Sequence, residues 1–263
     1  MSNLKVILFA HLVGFYFCNH NNIHWTTCII SYSNYLIYTY LYELSFNNIY
    51  FAMSITPKNY IDSFNGSHKL VSYGISTLHS IFISLCSTLY LLNIIDNYDI
   101  KQAFFISMSY YSADVYYVID STKKLTKLYY FTLCHHIIMI LMYYVIFILN
   151  SISTSISNDI NLENTLLYYM NRGILAEYAV ITLNYSWYLI NTKQANSNKM
   201  IISSILTLVL YFITRVVNFT RLIYNFWDDD LLPAIVLMLP LFLINYYWFY
   251  KLMCKAVRIY KFL

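Results

Sequence analysis

Charged residues make up only 11 % of this 263-residue chain, where a soluble domain usually carries roughly a quarter. So sparse a set cannot cover a water-facing surface, which argues against a soluble globular domain. Glycine (4) and proline (3) are scarce as well, so few positions interrupt a helical run. The five cysteines, Cys18, Cys28, Cys86, Cys134 and Cys254, are odd in number and none are at metal-ligand spacing. That excludes a cysteine zinc site and argues against a disulfide framework; three of them lie in or beside apolar segments, where cysteine behaves as a small hydrophobe. The net charge of +4 lacks the basic stripe, interleaved with exposed polar sequence, that a nucleic-acid partner requires.

What the chain has in abundance is apolar sequence: 59 % hydrophobic residues, 30 tyrosines, and a mean hydropathy of +0.53. The apolar residues fall in long runs, as membrane-spanning helices require. Six candidate spans are 74–92, 103–119, 128–149, 165–190, 200–223 and 231–253, joined by short polar linkers. These runs exceed the roughly 10 residues of a barrel strand and lack its strict alternation. Upstream, Val6–Cys18 reads as a signal-peptide core or a first short span, and Thr26–Met53 as one helix or two. The expected fold class is an all-α, polytopic transmembrane bundle of about seven helices. Pro240 is expected to kink the last span.

Lys123, Lys124 and Lys127 fill one loop, Lys193 and Lys199 another, and Lys255, Arg258 and Lys261 follow the last span. The alternate loops carry Asp96, Asp99 and Lys101, then Asp159 and Glu163, then Asp228, Asp229 and Asp230, so positive charge dominates every second loop. The positive-inside rule places the lysine loops and the C-terminus in the cytosol.

Ionisable groups inside the spans are costly, so each needs a partner or a task. With that topology, His79, Asp114, His135, His136 and Asn184 fall at similar depth, in the cytosolic third of the bilayer. Ser72, Ser76 and His79 share a helical face, as do Ser107, Tyr110, Asp114 and Tyr117, and Ser204, Thr207, Tyr211, Arg215 and Asn218. The expectation is that His79, Asp114, His136 and Asn184 line one headgroup cavity. Glu177 and Arg215 lie at matching depth on consecutive antiparallel spans and are expected to form an ion pair, which either locks two helices or helps to bind a headgroup. Adjacent His135 and His136 project about 100° apart, so one of them faces inward as a base, acyl acceptor or ligand. No spacing within one helix supports a metal site, and no cofactor is called for.

Several segments carry a family resemblance. Lys69–Ser80 resembles the opening of a TLC domain (named for TRAM, Lag and CLN proteins), with Ser76-Thr77-Leu-His79 at the start of the first core helix. Tyr110-Tyr111-Ser-Ala-Asp114 is similar to the family's aromatic-x-x-Asp segment, and Cys134-His135-His136-Ile137 to its His-His signature. Leu175-Ala176-Glu177 with Asn184 and Trp187, then Phe212-Ile-Thr-Arg215, resembles the next two helices of the small TLC-domain-containing proteins. The resemblance covers residues 62–261 and implies a six-helix core after an N-terminal hydrophobic segment, 1–61.

It further implies a multi-pass protein of the endoplasmic reticulum or a related endomembrane. Such a protein would bind, sense or move membrane lipids, or support their metabolism. A ceramide-synthase-like N-acyltransferase is the alternative, with acyl-CoA as partner, His136 or His135 as acceptor, and Asp114 orienting the imidazole. The His-Asp step that follows the His pair in the synthases is missing from Ile137–Asp159. A membrane cargo adaptor is the third possibility.

Overall fold

The computed structural model of the protein describes residues 67–121, 130–143, 160–229 and 231–261. Among the described residues the regular structure is helical and no strand occurs. In chain order come α1 (Ser67–Leu91), α2 (Asn97–Ser121), α3 (Tyr130–Tyr143) and α4 (Ile160–Ile174). A 3-10 turn (Leu175–Glu177), α5 (Tyr178–Asn191) and α6 (Asn198–Tyr211) follow. A π-helical segment (Phe212–Val217), α7 (Asn218–Asp228) and α8 (Leu232–Lys261) complete the series. Where the residues are described, each of the six expected spans falls on helix, 128–149 being described over 130–143 alone. Two stretches, 72–91 and 198–228, are long and apolar enough to cross a membrane. The upstream segments 6–18 and 26–53 and the 123–127 loop lie outside the described residues.

With glycine so scarce, the helices are closed by other residues. Asp96 caps α2: its Oδ1 accepts from the amides of Tyr98 (2.8 Å) and Asp99 (2.9 Å). Ser197 caps α6 by accepting from the Met200 amide at 3.2 Å. At the far end of α1, Asn93 takes a left-handed φ of 56°, its amide donating to Tyr90 and that of Ile94 to Leu89. Lys193 does the same after α5 at φ 60°, with its own amide bonded to Ile190 and that of Gln194 to Leu189. Both are Schellman closures. Asparagine tolerates that conformation, whereas lysine adopts it at a cost of about 1 kcal/mol.

The chain divides into two compact units, residues 53–94 with 169–263, and residues 1–52 with 95–168. In the first, α1 packs on α5 and the 3-10 turn, α5 on α6, and α8 on α6, the π segment and α7. The second contains α2, α3 and the opening of α4.

On α1 and along 198–217 many polar residues are buried and many aliphatic ones exposed. On α1 the buried positions include His79, Ser80, Ser84 and Ser87, while Leu78, Ile81, Phe82 and Leu85 are exposed. Along 198–217 Ser203, Thr207, Tyr211 and Arg215 are buried beside Met200 and Val216, and Ile202, Ile205, Leu206, Val209, Phe212, Ile213 and Val217 are exposed; in α7 the order is the usual one, with Phe219, Leu222 and Phe226 buried. Water rejects such an arrangement on both counts, because it leaves apolar area hydrated and buries groups that need partners. Hydrocarbon favours it.

Candidate functional site

The polar interior of the first unit is organised by hydroxyl groups one turn apart on α1. Ser80 Oγ donates to Glu177 Oε2 at 2.8 Å. One turn on, Ser84 supplies its carbonyl to Thr88 and Tyr178, and the Thr88 and Tyr178 hydroxyls meet at 2.7 Å. One turn back, Asn184 Nδ2 donates to Thr77 Oγ1 at 3.0 Å and to the Tyr73 carbonyl at 3.2 Å. The α1 residues that make these bonds are Tyr73, Thr77, Ser80, Ser84 and Thr88, beside the expected Ser72, Ser76 and His79. His79 is buried, but the two polar groups of this unit that it was expected to join, Glu177 and Asn184, bond to Ser80 and to Thr77 and Tyr73 instead.

Glu177 and Arg215 meet as expected, with Oε1 and Nη2 3.6 Å apart and the residues 6 % and 3 % exposed. The guanidinium makes its close bonds elsewhere. Nε donates to the Ala176 carbonyl at 3.1 Å and Nη1 to Asn245 Oδ1 at 2.9 Å. Asn245 Oδ1 also accepts from the Tyr211 hydroxyl, and the Tyr211 ring lies 5.2 Å from the guanidinium carbon. A buried guanidinium has five donors to satisfy, and neutral oxygens on two other elements take part of that load while Glu177 supplies the charge.

The local winding serves this contact. Thr207, Tyr211 and Arg215 are four residues apart, and on a regular α-helix each such step drifts about 40° around the axis. The π turn holds more residues per turn and takes up part of that drift, keeping Arg215 on the buried row. Opposite it, Ala176 and Glu177 sit in the 3-10 turn that interrupts α4 and α5. Asn218 extends the seam, accepting from Arg172 Nε and Nη2 at 3.3 and 3.2 Å and donating to its carbonyl at 2.6 Å. At the other side of Arg215, Ser203 and Ser186 bond at 2.7 Å, so the buried row begins at Ser203 where Ser204 was expected.

The second unit holds the other pair. His136 Nδ1 lies 3.4 Å from Asp114 Oδ2, and both residues are buried, at 6 % and 2 % exposure. Tyr111 packs against the His136 ring at 4.9 Å and edge-on to His135 at 6.2 Å. One turn N-terminal to Tyr111 on α2, Ser107 hydrogen-bonds with Tyr143 of α3 at 3.0 Å. His136 is thus the member of the histidine pair that faces the carboxylate, and His135 is half-buried beside it. At 3.4 Å the imidazole and the carboxylate approach within ion-pair distance of each other. The six residues expected at one headgroup site divide between the units: His79, Glu177, Asn184 and Arg215 in the first, Asp114 and His136 in the second.

Among the polar contacts not foreseen from the sequence, Ser80 and Asn245 are the ones that touch the buried ion pair. Ser80 belongs to a hydroxyl row, Thr77, Ser80, Ser84 and Thr88, whose helical spacing was legible. Asn245 carried no periodic signal, being the one buried polar side chain among the described residues of α8.

Comparison of the chain with family models, with curated proteins and with solved structures finds no match.

Proposed function

We propose that the chain is a multi-pass membrane protein that binds, senses or moves membrane lipids, or supports their metabolism, as the resemblance to small TLC-domain proteins implies. The observation that carries the membrane part is the burial of polar residues and exposure of aliphatic ones on α1 and along 198–217 of the second stretch of spanning length. Exposed aromatic residues add support, with Tyr185 and Tyr188 close to Lys193, Tyr247 and Tyr250 beside Lys251, and Tyr224 and Trp227 beside Asp228. Rings at those places suit the headgroup layer. In this reading the lysine-rich ends and the C-terminus face the cytosol of an endoplasmic-reticulum-type membrane. The Glu177–Arg215 network fixes the helices, and the Asp114–His136 pair is the polar group left for a headgroup. Native mass spectrometry of gently purified protein tests it. A lipid that co-purifies in stoichiometric amount is expected, and protein recovered free of lipid and of acyl adducts would refute it and leave the cargo adaptor.

The 3.4 Å approach of His136 to Asp114 favours one second reading, N-acyl transfer. His136 Nε2 would take the proton of an amine as its nitrogen attacks an acyl thioester, and the thiolate would leave. Incubation with acyl-CoA and a long-chain amine decides between the two: amide product that is lost in His136→Ala supports transfer, and binding of the lipid with no product supports the first reading.

A further inference from the structure

The windings at 212–217 and 175–177 depart from the α-helix in opposite senses, and they face each other. A π turn carries one residue more than an α turn and a 3-10 turn one fewer, and mid-helix stretches of either kind recur at sites that change shape. The two are joined by one side chain, Arg215, through its Nε bond to the Ala176 carbonyl at 3.1 Å. The side chains of Phe212, Ile213 and Val217 on the π segment are about half exposed.

What grips Arg215 from a third direction is α8. Asn245 Oδ1 accepts from Arg215 Nη1 at 2.9 Å and from the Tyr211 hydroxyl at 3.3 Å. One turn later the Phe249 ring stacks on Tyr211 at 6.2 Å and lies 5.6 Å from Phe212. Asn245 and Phe249 therefore clasp both sides of the junction where α6 gives way to the π segment. Five residues before Asn245, Pro240 lies inside α8. It has no amide hydrogen to donate to the preceding turn, and such positions are where helices bend.

We propose that the π segment is a winding switch latched by Asn245. With α8 seated, Asn245 and the Ala176 carbonyl hold Arg215 and keep 212–217 underwound. When α8 bends away at Pro240, the latch opens and 212–217 rewinds as α-helix. Arg215 then turns off the Ala176 carbonyl, and α7 rotates against α4, carrying Asn218 from Arg172. The switch converts a lateral movement of the last helix into rotation of its neighbour. It does not depend on which ligand the protein takes.

Hydrogen exchange measured by mass spectrometry on the full chain in lipid nanodiscs tests it. Asn245→Leu removes both acceptor contacts and is expected to speed exchange of the 213–219 amides roughly tenfold, as loss of a charge-assisted hydrogen bond implies. Asn245→Asp keeps an acceptor and is expected to leave them protected. A loosened helix would also exchange faster, so a second comparison isolates the switch. Deleting Ile213, an exposed residue, removes the extra residue of the π turn. In that background Asn245→Leu is expected to change exchange by less than about twofold, because there is no underwound turn left to hold. Unchanged 213–219 exchange in Asn245→Leu overturns the proposal, and so does an equal effect with and without Ile213. If Asn245→Leu fails to fold, Tyr211→Phe decides instead. It drops only the phenol bond to Asn245 and must speed the same amides, and no change in it overturns the proposal.

Discussion

Replacing Glu177 by Gln keeps the shape of the side chain and the acceptor for Ser80 but removes the charge facing Arg215. At the observed 3.6 Å, Coulomb's law with an effective dielectric of about 20 gives a loss of roughly 4–5 kcal/mol. The relieved cost of burying a carboxylate offsets part of that, so the net destabilisation is expected near 3 kcal/mol, at the lower end for a broken buried pair. Arg215→Gln should cost more. It strands the Glu177 carboxylate and also gives up the bonds to the Ala176 carbonyl and Asn245, each worth about 1.5–3 kcal/mol as charge-assisted contacts. The double variant leaves no isolated charge. It should fall near Arg215→Gln alone, or above it, giving a coupling of about 3 kcal/mol. Thermal unfolding of the four proteins in one detergent, with intrinsic tryptophan and tyrosine fluorescence as signal, measures this. At roughly 2–4 °C per kcal/mol for a chain of this size, Glu177→Gln should melt about 6–12 °C lower than the parent. Additive single effects, with coupling below about 1 kcal/mol, would refute a direct charge interaction and reduce the contact to proximity.

Three other outcomes follow from single contacts. Ser80→Ala removes the hydroxyl that bonds Glu177 at 2.8 Å and should cost about 1.5–3 kcal/mol in the same melt, whereas Ser76→Ala, on the neighbouring face, should cost well under 1. Lys193→Gly relieves a φ of 60° and should raise stability by about 1 kcal/mol; a loss would show that the lysine side chain, rather than the backbone, matters there. Cysteines placed at Lys193 and at Asp228 should be labelled by an impermeant maleimide from opposite sides of sealed vesicles, with Lys193 cytosolic, and labelling of both from one side would break the topology.

The hydrophobic runs sufficed to place the helices. Composition and the length of the apolar runs pointed to helices, and the described part of each run from Gly74 onward is helical. Counting along helices of fixed rise likewise brought Glu177 opposite Arg215. The choice between His135 and His136 needed α2, because two adjacent residues differ only in direction and Asp114 had to be in place to select one.

Helical phase was legible only to the nearest neighbour. One residue is a rotation of about 100°, and both Ser76–His79 and Thr77–Ser80 make plausible polar rows. What selected Thr77, Ser80, Ser84 and Thr88 was the position of Asn184, Glu177 and Tyr178 on α5 and its 3-10 turn. The same holds for Asn245. A single asparagine in an apolar helix has no pattern of its own, and it acquires a role when packing sets Arg215 at 2.9 Å. The underwound turn at 212–217 is likewise invisible in Phe-Ile-Thr-Arg-Val-Val, whose residues suit an α-helix equally well. Sequence decides what an element is made of and how far along it a group lies. The neighbouring elements decide the direction in which that group points, because direction depends on a rotation that no local pattern fixes.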